Sequence, residues 1–181
     1  MADKYVALLR AINLAGKNAV GMADLRAMME RLGMKDVQTL LQSGNVVFTG
    51  ARRSDESTEK LFEAASLKTF GFATDYFVRS AADVQAVIAS NPFPKEASAD
   101  PGHLLVVFLK DVATPSTVKA LQAAIKGREV VRAGGRHAYI YYPDGVGRSK
   151  LTAGLIEKHL GCRGTARNWN TVLKLGAIVS T

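Results

Sequence analysis

One cysteine, five prolines and an aromatic share of 7% leave this 181-residue chain with few specialised parts. Cys162 has no second thiol to meet, which excludes an internal disulfide and the stapled secreted scaffolds that depend on one. No apolar run approaches the roughly 20 residues that a bilayer-spanning helix needs. The opening MADKYVALLRAINLAG holds one short apolar run closed by Arg10, with no small-residue cleavage site, and reads as a first strand rather than a leader. A cytoplasmic protein with no membrane partner is the expectation. His103, His137 and His159 lie far apart, and the sequence lacks H-E-x-x-H, so a zinc site has no support. It also lacks G-x-S-x-G and a phosphate loop of the G-x-x-x-x-G-K-[ST] type, and no cofactor is expected.

Acid is the other scarcity: 16 Asp and Glu stand against 24 Lys and Arg, a formal charge of +8. The shortage is uneven. Residues 1–79 carry 11 basic and 9 acidic side chains, whereas residues 126–181 carry 10 basic and only 3 acidic ones. A basic last third favours an anionic partner, either nucleic acid or a phosphorylated small molecule. A solvated surface that only keeps the protein soluble is the plainer explanation.

What is present is a well-patterned α/β chain. YVALL (5–9) reads as a strand, and Leu25, Met28, Met29 and Leu32 at i, i+3, i+4, i+7 predict a helix. VQTLLQ (37–42) and VVF (46–48) flank Ser43-Gly44-Asn45, a hairpin signal. Asp55 is placed to cap a helix carrying Leu61, Phe62, Ala65 and Thr69, TDYFV (74–78) adds a strand and AADVQAVIAS (81–90) a helix. The order strand-helix-strand-strand-helix-strand is the split βαβ, or ferredoxin-like, pattern. NPFPKEASADPG (91–102) holds three of the five prolines and predicts a linker between a first half, 1–90, and a second, 103–181.

After the linker the plan returns. HLLVVFL (103–109) is a strand, Thr114-Pro115 opens a helix, and EVV (129–131) and HAYIYY (137–142) flank Gly134-Gly135. Two helices, near 150–161 and 168–178, then end the chain where a helix and a strand would complete the repeat. The fold class expected is α+β: two ferredoxin-like halves, duplicated, with extra C-terminal helices. Both leading strands are apolar on both faces, so each sheet is expected to be covered on both sides, by the extra helices, the other half or a second copy. That disfavours an RNA-recognition module, which displays stacking aromatics on an open sheet face; SGNVVFTG offers only Phe48.

Three stretches are candidates for a site. Ferredoxin-like topology brings NLAGKN and QSGN to one edge, so that Asn13, Lys17, Asn18, Ser43 and Asn45, with Arg10 beneath, form an anion site or a set of turns. YYPDGVGRSK offers Arg148 and Lys150 after a glycine loop, with Ser149 placed to cap the next helix. GTARNWNTVLKLG puts Trp169, Val172, Leu173 and Gly176 on one helical stripe and crowds Arg167 and Asn168 into the first turn, as caps or as a site. Trp169 is expected in the core. Of the tyrosines, 139 and 141 share a strand face and 142 lies on the other. Cys162, beside Gly161 and Arg163, has no evident base and is expected to be inert.

Together YVALLRAINLAGKNAVGMADLR, LQSGNVVF, NPFP, YYPDGVGRSKL and GTARNWNTVLKL resemble the domain of unknown function 1697 family, in the family's order, from Tyr5 to about Leu175. The resemblance implies a duplicated ferredoxin-like fold and no assigned reaction. Ala11 and Ala15 stand where glycines are usual in that family, and Gly21 where proline is usual. Three readings remain: a binding module for nucleic acid or a phosphorylated metabolite, an enzyme on a small phosphorylated or carboxylated substrate, and a structural protein pairing with a second copy as a homodimer.

Overall fold

The computed structural model describes residues 3–51 and 53–181. Residues up to Gln85, together with Leu175–Thr181, form one compact unit, and Ala86–Lys174 form a second.

In the first unit β1 (Asp3–Leu9), α1 (Met22–Arg31), β2 (Lys35–Leu40), β3 (Asn45–Gly50), α2 (Asp55–Phe70) and β4 (Tyr76–Ser80) follow one another, and α3 (Ala81–Ala89) follows β4. The sheet is antiparallel in the order β2-β3-β1-β4. Alternation along β1 sends Tyr5, Ala7 and Leu9 to the face that packs on Leu25, Met28 and Met29 of α1 and Phe62 of α2. Aromatic rings run through this core: Tyr5 stacks on Phe48 at 5.5 Å, Phe48 meets Phe62 edge-on at 5.4 Å, and Phe62 meets Tyr76 at 5.5 Å. The opposite face is buried too, with Val6 at 1% exposure and Leu8 at 0%, as the two-sided apolar pattern requires. The cap of α2 is Ser54, whose side chain accepts from the Ser57 N–H, and not Asp55, which is the first helical residue.

The second unit repeats the order. Its strands and helices are β5 (Leu104–Leu109), α5 (Pro115–Ala124), β6 (Val130–Ala133), β7 (His137–Tyr141), α6 (Ala153–Leu160) and β8 (Gly164–Asn168), in the sheet order β6-β7-β5-β8. Thr114 caps α5 with a reciprocal bond from Thr117, and Pro115 takes its first position. Residues 91–102, where the prolines predict a linker, carry the short helix α4 (Pro94–Ala99) and a 3-10 turn at Pro101–His103. The chain ends in α7 (Trp169–Val179).

The two C-terminal helices are therefore present, but β8 lies between them and completes the repeat that the sequence reading lets drift. Thr165, Arg167 and Asn168 are strand residues rather than the first turn of a helix. Strand register extends the equivalence. Arg79 and Ser80 face Val6 and Tyr5 in the first sheet, as Arg167 and Asn168 face Val106 and Leu105 in the second. Ser80 Oγ then accepts from the Asp83 N–H at 3.1 Å, and Asn168 Oδ1 from the Thr171 N–H at 3.0 Å. Thus α7 is to the second repeat what α3 is to the first. Among the described residues no helix is long and apolar enough to cross a membrane.

Candidate functional site

The loop between β1 and α1 does meet the β2–β3 hairpin. Asn13 Nδ2 donates to Gln42 O at 2.8 Å and to Val20 O at 3.1 Å, while its Oδ1 accepts from the Val20 N–H at 2.8 Å. Asn18 Nδ2 donates to Ala11 O. Asn45, fully buried, donates to Leu40 O and to Ser43 Oγ. Asn13 and Asn45 are occupied in holding the turn together, whereas Asn18 is exposed and is anchored by its one bond to Ala11 O. Arg10 faces Asp75 at 3.6 Å. Lys17 is exposed and forms no ion pair among the described residues, so it is the one cation of the group left to a partner.

The amides are needed because the turn is strained. Ala11, Asn13, Ala15 and Asn18 all sit at φ near +50°, where a β-carbon crowds the following carbonyl. Two of them, Ala11 and Ala15, are alanines, which have no polar side chain to compensate the strain. Replacing exposed Ala15 by glycine is expected to raise stability by about 0.5–1 kcal/mol, the left-handed strain relieved less the entropy glycine adds to the unfolded chain. Chemical denaturation checks it, and a destabilised variant would mean that the loop does not hold this conformation.

The C-terminal candidate buries Arg167 and Trp169 and leaves Asn168 exposed, as a helix cap. Arg167 is 8% exposed, and its guanidinium donates at 2.8 Å to both Thr165 Oγ1 and Ala166 O. Burial pushes its pKa down to about 10. Asn168 is the α7 cap, and Trp169 is in the core at 5% exposure. Tyr139 donates to Val87 O at 2.6 Å; burial lifts its phenol to about 12, and burial with Glu129 nearby does the same for Tyr142. The Cys162 thiol is also pushed up, chiefly by burial, the direction of an unreactive cysteine. Among the described residues no cluster of His, Cys, Asp and Glu could hold a metal ion.

The remaining candidate is the one that opens into a cavity. A cleft of about 480 Å³ lies in the second unit, between the segment linking α5 to β6 and the loop linking β7 to α6. Arg148, Ser149 and Lys150, all picked from sequence, line it, together with Lys126, Glu129 and Asp144. Ile125, Leu151 and Leu155 supply an apolar wall. None of Lys126, Arg148 and Lys150 makes an ion pair among the described residues. Asp144 is already neutralised. Arg128 grips its carboxylate through Nε and Nη2 and holds its pKa below the ordinary carboxylate range.

Ser149 is not the helix cap that its position suggests; Thr152 caps α6, accepting from the Leu155 N–H. Instead Ser149 Oγ donates to Glu129 Oε1 and accepts from the Leu151 N–H at 3.0 Å. The α5–β6 segment is pinned by Gln122, which donates to Glu129 O at 3.2 Å and accepts from the Val131 N–H at 2.8 Å. Arg167 and Asn168 do not line this cleft. Sequence reasoning missed Lys126 and Glu129, which it met only as charges to be counted. The signal was the glycine inside Lys126-Gly127-Arg128-Glu129, a charged run between a helix and an edge strand.

Comparison with known proteins agrees with this architecture and adds no reaction. The solved structure of a conserved bacterial protein from Streptococcus pneumoniae is similar over 99% of both chains, with a TM-score of 0.76 and 23% sequence identity, a likeness of fold. No protein of curated function matches the chain. A family model described as "protein of unknown function (DUF1697)" matches residues 2–139, which span the whole first repeat and the second as far as β7. The chain belongs to that family.

Proposed function

We propose that the protein binds a small anionic molecule, a phosphorylated or carboxylated metabolite, in the cleft between the α5–β6 segment and the β7–α6 loop. One observation carries this reading: Lys126, Arg148 and Lys150, none of which makes an ion pair among the described residues, gather on one cavity of about 480 Å³, where the nearby carboxylate that feels Arg148, Asp144, is already held by Arg128. Like charges held together repel, and an anion that meets them is stabilised by each. The volume falls in the range of small-molecule sites, roughly 300–1,000 Å³. A nucleic-acid partner would call instead for a basic stripe tracking a backbone, with aromatics to stack on; Tyr139 and Tyr142 are buried, and half-buried Tyr141 donates its hydroxyl to Asp100.

Titration calorimetry with propyl phosphate, beside the anisotropy of a labelled oligonucleotide across a salt series, tests the reading. Saturable one-to-one binding of the ester is expected, with weak oligonucleotide binding at physiological salt. Tight oligonucleotide binding that falls steeply with salt, and no saturation by the ester, would replace the metabolite by a polymer.

A further inference from the structure

The cleft holds one group that three cations do not explain. Glu129 is 9% exposed, and its two carboxylate oxygens differ sharply. Oε1 accepts the Ser149 hydroxyl. Oε2 is shielded from solvent and has no hydrogen-bond partner among the described residues. A carboxylate taken out of water needs donors on both oxygens, and an orphaned one is a cost that the fold carries unless something else relieves it.

The cleft's own donors leave Oε2 alone. The Ser149 hydroxyl is spent on Oε1 and the Leu151 N–H on Ser149 Oγ. Lys126, Arg148 and Lys150 line the same cavity without pairing to the carboxylate. Beside Oε2 sits Gly127, another lining residue, and a β-carbon there would collide with that oxygen. Only glycine at 127 lets the backbone lie this close to the carboxylate, since any side chain there would stand against Oε2. The cavity therefore offers three positive groups for an anion and, separately, a buried acceptor without a donor.

Resting on the reading that the cleft binds a small anion, we infer that its ligand is a phosphate monoester that also carries a hydroxyl or ammonium group, which draws Glu129 Oε2 out of its shielded position by a turn of the carboxylate and donates to it. The phosphate meets Lys126, Arg148 and Lys150, the short carbon chain lies along Ile125, Leu151 and Leu155, and the donor end reaches Glu129. The carboxylate acts as a specificity determinant. It rewards a donor with a full charge-assisted hydrogen bond, and it leaves an ester that ends in a methyl group facing an unpaired anion.

Three esters of similar size separate the possibilities by calorimetry on the parent protein: propyl phosphate, glycerol 3-phosphate and 2-aminoethyl phosphate. Both donor-bearing esters are expected to bind about tenfold tighter than propyl phosphate, a difference of about 1.4 kcal/mol. In Glu129→Gln an amide N–H takes the place of an acceptor, and the preference is expected to shrink to within about threefold, while propyl phosphate binds at least as well as it does to the parent. Equal binding of the three esters to the parent would overturn the inference and leave the anion site standing. Binding of none of them would overturn both. The comparison on the parent decides the matter even if the variant does not fold.

Discussion

Gly44→Ala is expected to destabilise the first unit by about 2–4 kcal/mol, because two independent penalties meet at one residue. Gly44 sits at φ +80°, a conformation that L side chains rarely adopt. A β-carbon there would also stand 2.8 Å from Leu9 Cβ and 2.8 Å from Ile12 Cδ1. The isoleucine methyl can swing aside, but Leu9 Cβ is fixed to the end of β1, where the Leu9 N–H donates to Gly44 O at 2.8 Å. Relief of the clash must therefore break the bond that closes the hairpin onto the central strand. Calorimetric melting checks the expectation, with a fall of roughly 4–16 °C for a chain of this size. A fall of less than about 2 °C would mean that the hairpin can repack around a methyl group, and that the strained loop resting on it is softer than the structure shows.

That turn shows how far sequence could be read. Its glycine and asparagines are legible as turn formers, and topology brings the two loops together as expected. What the pattern could not show is where each amide points. An asparagine that binds a ligand and one that holds Gln42 O and Val20 O have the same local signature. The duplicated fold was legible wherever apolar periodicity marked a core face, which covers seven of the eight strands. The eighth failed for a physical reason. In Gly164–Asn168 the buried residues are Gly164, Thr165 and Arg167, so the strand lacks an apolar signal, and the apolar stripe of α7 beside it absorbed the stretch. The cleft was half legible. Arg148, Ser149 and Lys150 drew notice as a cluster in one loop, whereas Lys126 and Glu129 lie more than 15 residues upstream and join them only through the packing of β6 beside β7.

The second large effect belongs to the cleft. Arg148→Ala combined with Lys150→Ala is expected to weaken phosphate-ester binding by about 10- to 100-fold, or about 1.4–2.7 kcal/mol. Each side chain offers a charge-assisted bond, worth about 1.5–3 kcal/mol when well formed and less where water competes. Neither side chain makes an ion pair among the described residues, so their loss orphans no carboxylate and stability is expected to stay within about 0.5 kcal/mol of the parent. A folded double variant that binds the ester as tightly as the parent would remove these residues from any binding role. The matching change in the first unit, Lys17→Ala, is expected to leave affinity within about twofold, since one exposed cation beside amides already occupied makes a weak site.

The most direct measurement is amide chemical-shift mapping of the isotopically labelled protein titrated with propyl phosphate. Saturable shifts are expected along Lys126–Glu129 and Asp144–Leu151, the two segments that line the cleft, with residues 10–20 and 41–45 unmoved. Shifts centred on the β1–α1 loop and its hairpin, or none at millimolar ester, would contradict an anion site in the second unit.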